Sequence, residues 1–286
     1  MKIGRFDFDS EDVYICAELG INHNGDMGIA RQLIDIAAEC GCDAVKFQKR
    51  DPDIAVPEHQ KNIPRETPWG LISYLEYKHK IEFSGEQIAD LANHAVSRNI
   101  DWFVSCWDVP STQEMLELVP VALKLASASL TDTPLIEAFV ESELPIIWSS
   151  GMSTMDEVEQ AYTLIATRPN ILCHCHSSYP ANPDELNLRC MDTLRKKFPR
   201  SIIGYSGHEV ALRPAVVAAA IGARFIERHI TLDRAMWGTD QAASIEPQGL
   251  QRLVRDIREI KAVMSDGVKR LLDSELPIRK KLRRVI

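Results

Sequence analysis

The chain has 286 residues, of which 45% are hydrophobic and 26% are charged, and its formal net charge is −8. This composition is typical of a globular protein, and the negative charge argues against a general affinity for nucleic acid or for anionic membranes. No apolar run approaches the ~20 residues that span a bilayer, and the first eight residues lack the apolar centre of a signal peptide. We therefore expect a cytoplasmic protein that binds neither nucleic acid nor membrane.

Short apolar runs, typical of buried strands, alternate with segments of helical periodicity along the whole chain. Gly41 is a stop signal for the first helix, and Ser84 with Gln87 is a capping pair for the second. The predicted strands are 13–18, 43–48, 101–106, 122–126, 145–149, 171–175, 201–208 and 224–229. The predicted helices are 29–40, 84–99, 111–118, 134–141, 155–166, 188–198, 211–223 and 247–264.

Eight strand–helix units in strict alternation favour a closed, parallel α/β structure over an open sheet. We predict a single (β/α)₈ TIM barrel over residues 1–265. Residues 266–286 form a charged C-terminal tail, for which we expect either an outer helix or no fixed packing. The seven cysteines are scattered through the chain, so we expect free, reduced thiols that serve packing.

Residues 49–81 are the least regular segment, rich in proline, aromatic residues and mixed charge. A long connection of this kind is usually functional or mobile. Because it follows the second strand, we expect it to lie over the active face, with a short helix near 71–78. Its aromatic and arginine side chains could cover a bound sugar, and a dimer contact is an equally weighted alternative.

Two of the predicted strands end on histidine, at His208 and His229. A parallel strand–helix–strand unit brings both to the same edge of the sheet, where α/β proteins place their chemistry. Two converging imidazoles suit a divalent transition metal. The alternative is that each ring is simply held by backbone carbonyls.

Polar side chains follow the other strands as well, and in a barrel they converge on one pocket. Lysines and serines suit a phosphate or a carboxylate, and Glu18 offers general acid or base chemistry. A strand-end lysine can also do no more than reach solvent. Glu227 and Arg228 alternate along their strand, so only one can face the interior, and the other could be a salt-bridged surface residue. The main polar candidates are Glu18, Lys46, Gln48, Lys124, Ser127, Ser177, Tyr179, Ser206 and Asp240.

Seven stretches of the chain together resemble the N-acetylneuraminate (sialic acid) synthase family. The resemblance runs from about residue 13 to residue 264 in the family's order. The stretches are 17–25 (AELGINHNG), 45–48 (VKFQ), 124–127 (KLAS), 150–154 (SGMST), 175–180 (CHSSYP), 204–208 (GYSGH) and 227–229 (ERH).

The resemblance implies a (β/α)₈ barrel that condenses phosphoenolpyruvate with an aldose such as N-acetylmannosamine, giving a 2-keto acid sugar and phosphate. It implies that His208 and His229 bind a divalent metal, Mn²⁺ or Mg²⁺, and that Glu18 is the catalytic carboxylate. Asp240 would act near the sugar, as a second catalytic group, and a homodimer is expected. The residues implied to bind substrate are Lys46, Gln48, Lys124, Ser127, Ser177, Tyr179 and Ser206.

Several features depart from the family pattern. Gly207 stands where aspartate is common, Ala128 and Ser129 replace a Gly–Asp pair, and Cys106 replaces a threonine. Family synthases usually continue into a small antifreeze-like domain, and this chain stops at about the linker to it. The acceptor sugar is therefore the least determined part of the prediction. A keto-acid sugar aldolase or lyase, and a non-catalytic sugar- or phosphate-binding barrel, are the alternatives.

Overall fold

The structure, a computed structural model, describes residues 1–10 and 12–285 and contains a closed barrel of eight parallel strands. Each strand pairs with its sequence neighbours, and the last closes on the first. The strands are β1 (Tyr14–Glu18), β2 (Ala44–Lys49), β3 (Asp101–Cys106), β4 (Leu123–Leu125), β5 (Ile146–Ser149), β6 (Asn170–Cys175), β7 (Ile202–Gly207) and β8 (Phe225–His229). The predicted (β/α)₈ TIM barrel is confirmed.

After each strand, one helix packs on the outside of the barrel. The helices are α1 (Met27–Glu39), α2 (Gly85–Ser97), α3 (Val109–Leu116), α4 (Thr133–Glu141), α5 (Met155–Ile165), α6 (Cys190–Lys197), α7 (Arg213–Ala220) and α8 (Pro247–Met264). The predicted capping box is present at α2, where the Ser84 side chain accepts from Gln87 N and the Gln87 side chain binds Ser84 N. Such caps satisfy amide groups that a helix start leaves unpaired.

The N-terminal end of the barrel is filled with apolar side chains, so the opposite end is left for chemistry. A hairpin of two short strands, Lys2–Ile3 and Phe6–Asp7, lies across the N-terminal end. Phe6 packs edge-on against Tyr14 with ring centres 5.1 Å apart, and Tyr14 stacks on Phe225 at 5.8 Å. The larger part of the core lies between the strands and the surrounding helices.

The long connection after β2 is more regular than the sequence suggests. It contains helix Pro52–Ala55, a hairpin of strands Pro64–Thr67 and Gly70–Ser73, and helix Tyr74–Ile81. The predicted helix at 71–78 is therefore wrong at its start, because Ser73 caps a helix that begins at Tyr74. Tyr77 packs edge-on against Trp237 of the loop after β8, with ring centres 5.3 Å apart. The segment thus lies over the C-terminal end of the barrel, as expected.

Beyond α8, the described residues include a short 3-10 helix, Asp273–Glu275, and one more α-helix, Leu276–Leu282, whose side chains are largely exposed. The seven cysteines are free, as expected. Within residues 1–10 and 12–285, none of the helices has the length and apolar character needed to traverse a bilayer.

Arg228 points outward from β8, yet it is not a surface residue as the sequence analysis allowed. It is 1% exposed, and its Nη1 donates to Glu209 Oε1 at 2.8 Å. Tyr205 also donates its hydroxyl to Glu209, at 2.8 Å. Glu209 and Arg228 are chain neighbours of His208 and His229, so this buried ion pair ties together the two strand ends that carry the histidines.

We expect Glu209→Ala to lower the free energy of unfolding by roughly 3–5 kcal/mol, because it leaves the Arg228 guanidinium buried without its carboxylate. The double variant Glu209→Ala with Arg228→Met should recover most of that loss, since it removes both charges. Urea unfolding of the wild type, the single variant and the double variant measures this. A double variant no more stable than the single one would show that the charge pair is not the cause.

Candidate active site

A cavity of about 150 Å³ opens at the C-terminal end of the barrel. All eight strands, or the loops directly after them, contribute to its wall. Its lining residues are Glu18, Lys46, Gln48, Ser105, Trp107, Lys124, Ala126, Ser127, Ala128, Ser149, Met152, Cys175, Ser177, Tyr179, Ser206, His208, Glu227 and His229. Every predicted site residue except Asp240 therefore lines a single cavity.

Strand alternation explains which side chains enter this cavity. Residues two apart on a strand share a face, so Ser206 and His208 point the same way, as do Glu227 and His229. Glu227, which the sequence analysis did not include among the site residues, is thus an interior residue. The signal was available, because placing His229 inside also places Glu227 inside.

Lys46 holds two carboxylates together at the base of the cavity. Its Nζ lies 2.9 Å from Glu227 Oε1 and 3.4 Å from Glu18 Oε2. Gln48 Nε2 donates to Glu18 Oε1 at 2.7 Å, and Ser206 Oγ donates to Glu227 Oε1 at 3.2 Å. In the described part of the chain Glu227 Oε2 makes no hydrogen bond, and Glu18 Oε2 has only its 3.4 Å ion-pair contact with Lys46, so each can still accept a hydrogen bond from a bound molecule.

The two carboxyl groups differ in their affinity for protons. Burial raises the pKa of Glu18 to about 7, and although Lys46 opposes this shift, the charge of Glu227 adds to it. Burial also opposes ionisation of Glu227, but Lys46 and then Lys124 outweigh it and hold its pKa below the ordinary value. Carboxyl groups whose pKa values are pushed apart in this way can divide acid–base roles. Glu18 can exchange a proton near neutral pH, while Glu227 stays ionised as the counter-ion of Lys46.

Lys124, on the other side of the cavity, contacts no carboxylate in the described part of the chain, although its charge helps to keep Glu227 ionised. Its Nζ donates to Ser149 Oγ at 2.6 Å and to the Leu125 carbonyl at 3.0 Å. The side chain is 2% exposed and makes no ion pair within residues 1–10 and 12–285. A buried ammonium is costly without an opposite charge, so this one is suited to an anionic ligand.

Ser127, Gly151 and Ser177 form a cradle of small groups beside Lys124. Gly151 N donates to Ser127 Oγ at 3.0 Å. A Cβ atom at Gly151 would lie 2.2 Å from Ser177 Oγ and 2.7 Å from Ser127 Oγ, so only glycine fits between these hydroxyls. Backbone amide and hydroxyl donors next to a lysine are a favourable setting for phosphate oxygens.

The rings of His208 and His229 lie side by side in the cavity, with centres 5.3 Å apart. His208 Nδ1 donates to the His176 carbonyl at 2.7 Å, which leaves its Nε2 lone pair free. His229 Nδ1 is buried without a hydrogen bond, 3.8 Å from Asp240 Oδ2. Neither Nε2 atom is hydrogen-bonded in the described part of the chain. Two neighbouring imidazole nitrogens without partners suit a divalent metal, so His208 and His229 are the residues that could hold one.

In the described ranges, no group of three or more His, Cys, Asp or Glu side chains is placed to hold a metal ion. Bound substrate or water would therefore have to supply the remaining ligands of any metal ion held by His208 and His229. The ring of Tyr179 packs at a tilt of 36° against His208, with ring centres 4.0 Å apart, and the residue is 45% exposed at the cavity mouth. Asp240 lies beside His229 but does not line the cavity. Cys175, expected to serve packing, does line it.

Comparison with known proteins assigns the chain to a family. A family model described as "NeuB family" matches residues 33–269. The N-acetylneuraminate-9-phosphate synthase of Homo sapiens is 35% identical over 283 residues, covering 98% of this chain and 79% of that protein. The N,N'-diacetyllegionaminic acid synthase of Campylobacter jejuni is 37% identical over 268 residues, covering 91% and 80%.

A crystal structure of an N-acetylneuraminic acid (sialic acid) synthetase from Leptospira borgpetersenii superposes with a TM-score of 0.83 at 32% identity. The match covers 96% of this chain and 93% of that chain. The protein is a synthase-type (β/α)₈ barrel enzyme. It belongs to the NeuB family, and the resemblance to N-acetylneuraminate synthases seen in its motifs is confirmed.

His23, in the loop after β1, belongs to the fold and not to the cavity. Its ring stacks on Phe83 with centres 4.0 Å apart, and its Nδ1 accepts from Gly25 N at 3.0 Å. The imidazole must therefore be neutral. In agreement, burial lowers the pKa of His23 to about 3, and Arg50 contributes in the same direction.

Because of this histidine, the free energy of unfolding should decrease as the pH is lowered. Its pKa is about 6.5 in an unfolded chain and about 3 when folded, so the unfolded state binds the extra proton between those values. Lowering the pH from 7.5 to 5.0 should cost the wild type about 2 kcal/mol more than His23→Asn, which keeps an acceptor for Gly25 N. Urea unfolding of both proteins at both pH values measures the difference. Equal losses would show that His23 does not resist protonation.

Proposed function

We propose that this protein condenses phosphoenolpyruvate with an aldehyde sugar resembling N-acetylmannosamine, giving a sialic-acid-type 2-keto acid sugar and phosphate. We further propose that a divalent metal, Mn²⁺ or Mg²⁺, takes part. The observation that carries the proposal is the combination of two buried lysines with a free pair of imidazoles in one cavity. The lysines suit a small, highly charged anion, and the imidazoles suit a metal that binds a carbonyl oxygen.

Phosphoenolpyruvate matches the charges in the cavity. It carries a phosphate and a carboxylate, and the protein as a whole is acidic, so local cations must hold it. In this proposal Lys124 and the cradle of Ser127, Gly151 and Ser177 bind one anionic group. Lys46, held between its two carboxylates, supports the other end of the molecule, with Ser206 beside it.

The reaction begins when the methylene carbon of phosphoenolpyruvate attacks the aldehyde carbon of the sugar and forms the new carbon–carbon bond. Positive character develops at C2 of phosphoenolpyruvate, where water adds. The tetrahedral intermediate then breaks its C2–oxygen bond and releases phosphate. In this proposal Glu18, whose pKa of about 7 permits proton exchange near neutral pH, takes the proton of the water or supplies one to the new alkoxide.

A metal held by His208 and His229 would act as a Lewis acid that polarises the sugar aldehyde. Around it, Tyr179 covers the mouth and Gln48 orients Glu18 through its amide. In this proposal Asp240, which lies beside His229, contacts sugar hydroxyls on that side. The buried pair of Glu209 and Arg228 holds the two histidine-bearing strand ends in register from outside the barrel.

The relatives named above make products that differ in the sugar, namely an N-acetylneuraminate 9-phosphate and an N,N'-diacetyllegionaminic acid. We therefore propose an aldose acceptor of this general kind. The proposal includes a homodimer that works in the cytoplasm, for which light scattering of the purified protein and cell fractionation are the tests.

Phosphate release tests the reaction directly. It should require both phosphoenolpyruvate and an aldose, drawn from a panel of N-acetylated hexosamines with and without phosphate. An aldolase would instead consume pyruvate and the aldose without releasing phosphate, and a binding protein would do neither. Either of those results would refute the proposed reaction.

Lys124→Ala should raise the Michaelis constant for phosphoenolpyruvate roughly ten- to a hundredfold, because it removes a charge-assisted contact of ~1.5–3 kcal/mol. The constant for the aldose should change little. Lys49→Ala is the matched control, since Lys49 pairs with Glu114 outside the cavity. An effect of Lys124→Ala confined to the aldose would contradict the placement of phosphoenolpyruvate.

His208→Ala and His229→Ala should each abolish turnover and weaken binding of Mn²⁺, which calorimetry measures without substrate. Circular dichroism should show an intact fold, because both side chains face a polar cavity and not the apolar core. Near-normal turnover in either variant, with metal removed by a chelator, would refute the metal assignment.

A further inference from the structure

The ring of His229 is confined by its neighbours. Its centre lies 5.3 Å from that of His208 and 5.8 Å from that of Tyr179, which meets it edge-on. A Cβ atom at Gly20 would lie 3.0 Å from His229 Nδ1, so the backbone of the loop after β1 packs closely against this ring. Gly20 has a φ of +54°, a conformation that favours glycine. The imidazole therefore has little room to turn.

His229 Nδ1 lacks the partner that His208 Nδ1 has. His208 Nδ1 donates to the His176 carbonyl at 2.7 Å, whereas His229 Nδ1 is buried and makes no hydrogen bond in the described part of the chain. The carboxylate of Asp240 lies beside it, with Oδ2 3.8 Å away. This distance is too long for a hydrogen bond, but hydrogen bonds in active sites are often long in the ligand-free protein and shorten when a ligand binds.

Hydrogen bonds from neighbouring side chains fix the position of Asp240. Ser244 Oγ donates to the Asp240 carbonyl at 2.7 Å, and Asn22 Nδ2 donates to Ser244 Oγ at 2.7 Å. Ser244 and Asn22 are both buried. Thr239 Oγ1 donates to Asp240 Oδ1 at 2.8 Å, which leaves Oδ2 for His229. The loop after β8 is thus tied to the loop after β1, and the carboxylate is held beside the imidazole.

We propose that Asp240 is the positioning residue of His229, and that Ser244 acts through Asp240. A neutral imidazole carries one N–H, and its other nitrogen has the lone pair that binds a metal. When Nδ1–H donates to Asp240, Nε2 keeps its lone pair for the metal. Histidines that bind metals commonly donate their other ring N–H to a carboxylate in this way. The inference rests on the proposed function, since it presumes that His229 is a metal ligand.

Calorimetry of Mn²⁺ binding to the metal-free protein, without substrate, tests this role. Asp240→Ala should weaken binding roughly ten- to a hundredfold, which is the usual cost of losing such a partner. Asp240→Asn should recover most of that loss, because its amide oxygen can still accept a hydrogen bond from His229 Nδ1. Ser244→Ala should weaken binding roughly three- to tenfold, and it should cause no further loss when it is added to Asp240→Ala.

Thr112→Val is the matched control for Ser244→Ala. Thr112 Oγ1 donates to the Asp108 carbonyl at 2.9 Å, four residues back along the chain, as Ser244 does to Asp240. Thr112 is also buried, and Asp108 does not line the cavity. The control should therefore keep its affinity for Mn²⁺. Should Ser244→Ala fail to fold, Thr239→Val, at an exposed position, removes the donor to Asp240 Oδ1 and tests the same coupling.

The position of the His229 proton gives a second reading that needs neither metal nor substrate. Two-bond nitrogen–proton couplings in ¹⁵N-labelled, metal-free protein show which ring nitrogen carries the proton, and the spectrum of His229→Gln identifies the signals. The wild type should carry the proton on Nδ1, and Asp240→Ala should move part of the population to Nε2.

Equal losses of Mn²⁺ affinity in Asp240→Ala and Asp240→Asn would overturn the inference, because the effect would then be one of charge alone. A wild-type His229 protonated on Nε2, or a proton position that Asp240→Ala leaves unchanged, would overturn it as well. Additive losses for Ser244→Ala and Asp240→Ala would show that Ser244 does not act through Asp240. None of these results affects the proposed condensation.

Failure of the proposed function would look different. A wild type that binds no Mn²⁺ would refute the metal assignment, and the nitrogen–proton couplings would then decide whether Asp240 positions His229. If the expected affinities and couplings are found but no aldose gives phosphate release, the positioning role stands and the proposed reaction fails.

Discussion

The ion cluster of Lys46 with Glu18 and Glu227 is the interaction on which the active end of this barrel depends. Register explains its position, because Glu18 on β1 pairs with Lys46 on β2 on one side and with His229 on β8 on the other. The cluster therefore spans the seam where the last strand closes on the first. Two buried carboxylates would be unstable together without the lysine between them. The lysine also lets one of them remain a proton carrier while the other stays charged.

Because successive strand residues point to opposite faces, the residues of the cavity and the ion pair that stabilises the strand ends lie on opposite faces of the barrel wall. On β8, Glu227 and His229 point inward to the cavity, whereas Arg228 between them points outward to Glu209. The outward ion pair is buried, so it holds the strand ends without contributing charge to the cavity. Buried polar groups are thus paired with each other on the outer face of the strand, whereas those on the inner face can bind a ligand in the cavity.

Much of this arrangement could be predicted from the sequence. Local patterns predict the eight strand–helix units, and a parallel barrel brings all strand ends together, so ten of the eleven predicted site residues line one cavity. Three features could not be predicted from the sequence. Glu209, the partner of Arg228, is 19 residues away in the sequence, and the two pair because both side chains are buried. The hairpin after β2 has no clear alternating pattern. Lys78 is ordinary in sequence, and only the packing of Tyr74 and Tyr77 around it shows that it is buried.

The central claim is that the cavity joins two molecules through C2–oxygen cleavage of phosphoenolpyruvate, and the fate of one oxygen atom tests it most directly. Phosphoenolpyruvate labelled with ¹⁸O in the bridge between carbon and phosphorus is turned over with an accepted aldose, and the phosphate is analysed by mass spectrometry. The account predicts that the released phosphate retains the bridging ¹⁸O, because water adds at carbon. Phosphate without the label would mean cleavage at phosphorus and would contradict the account.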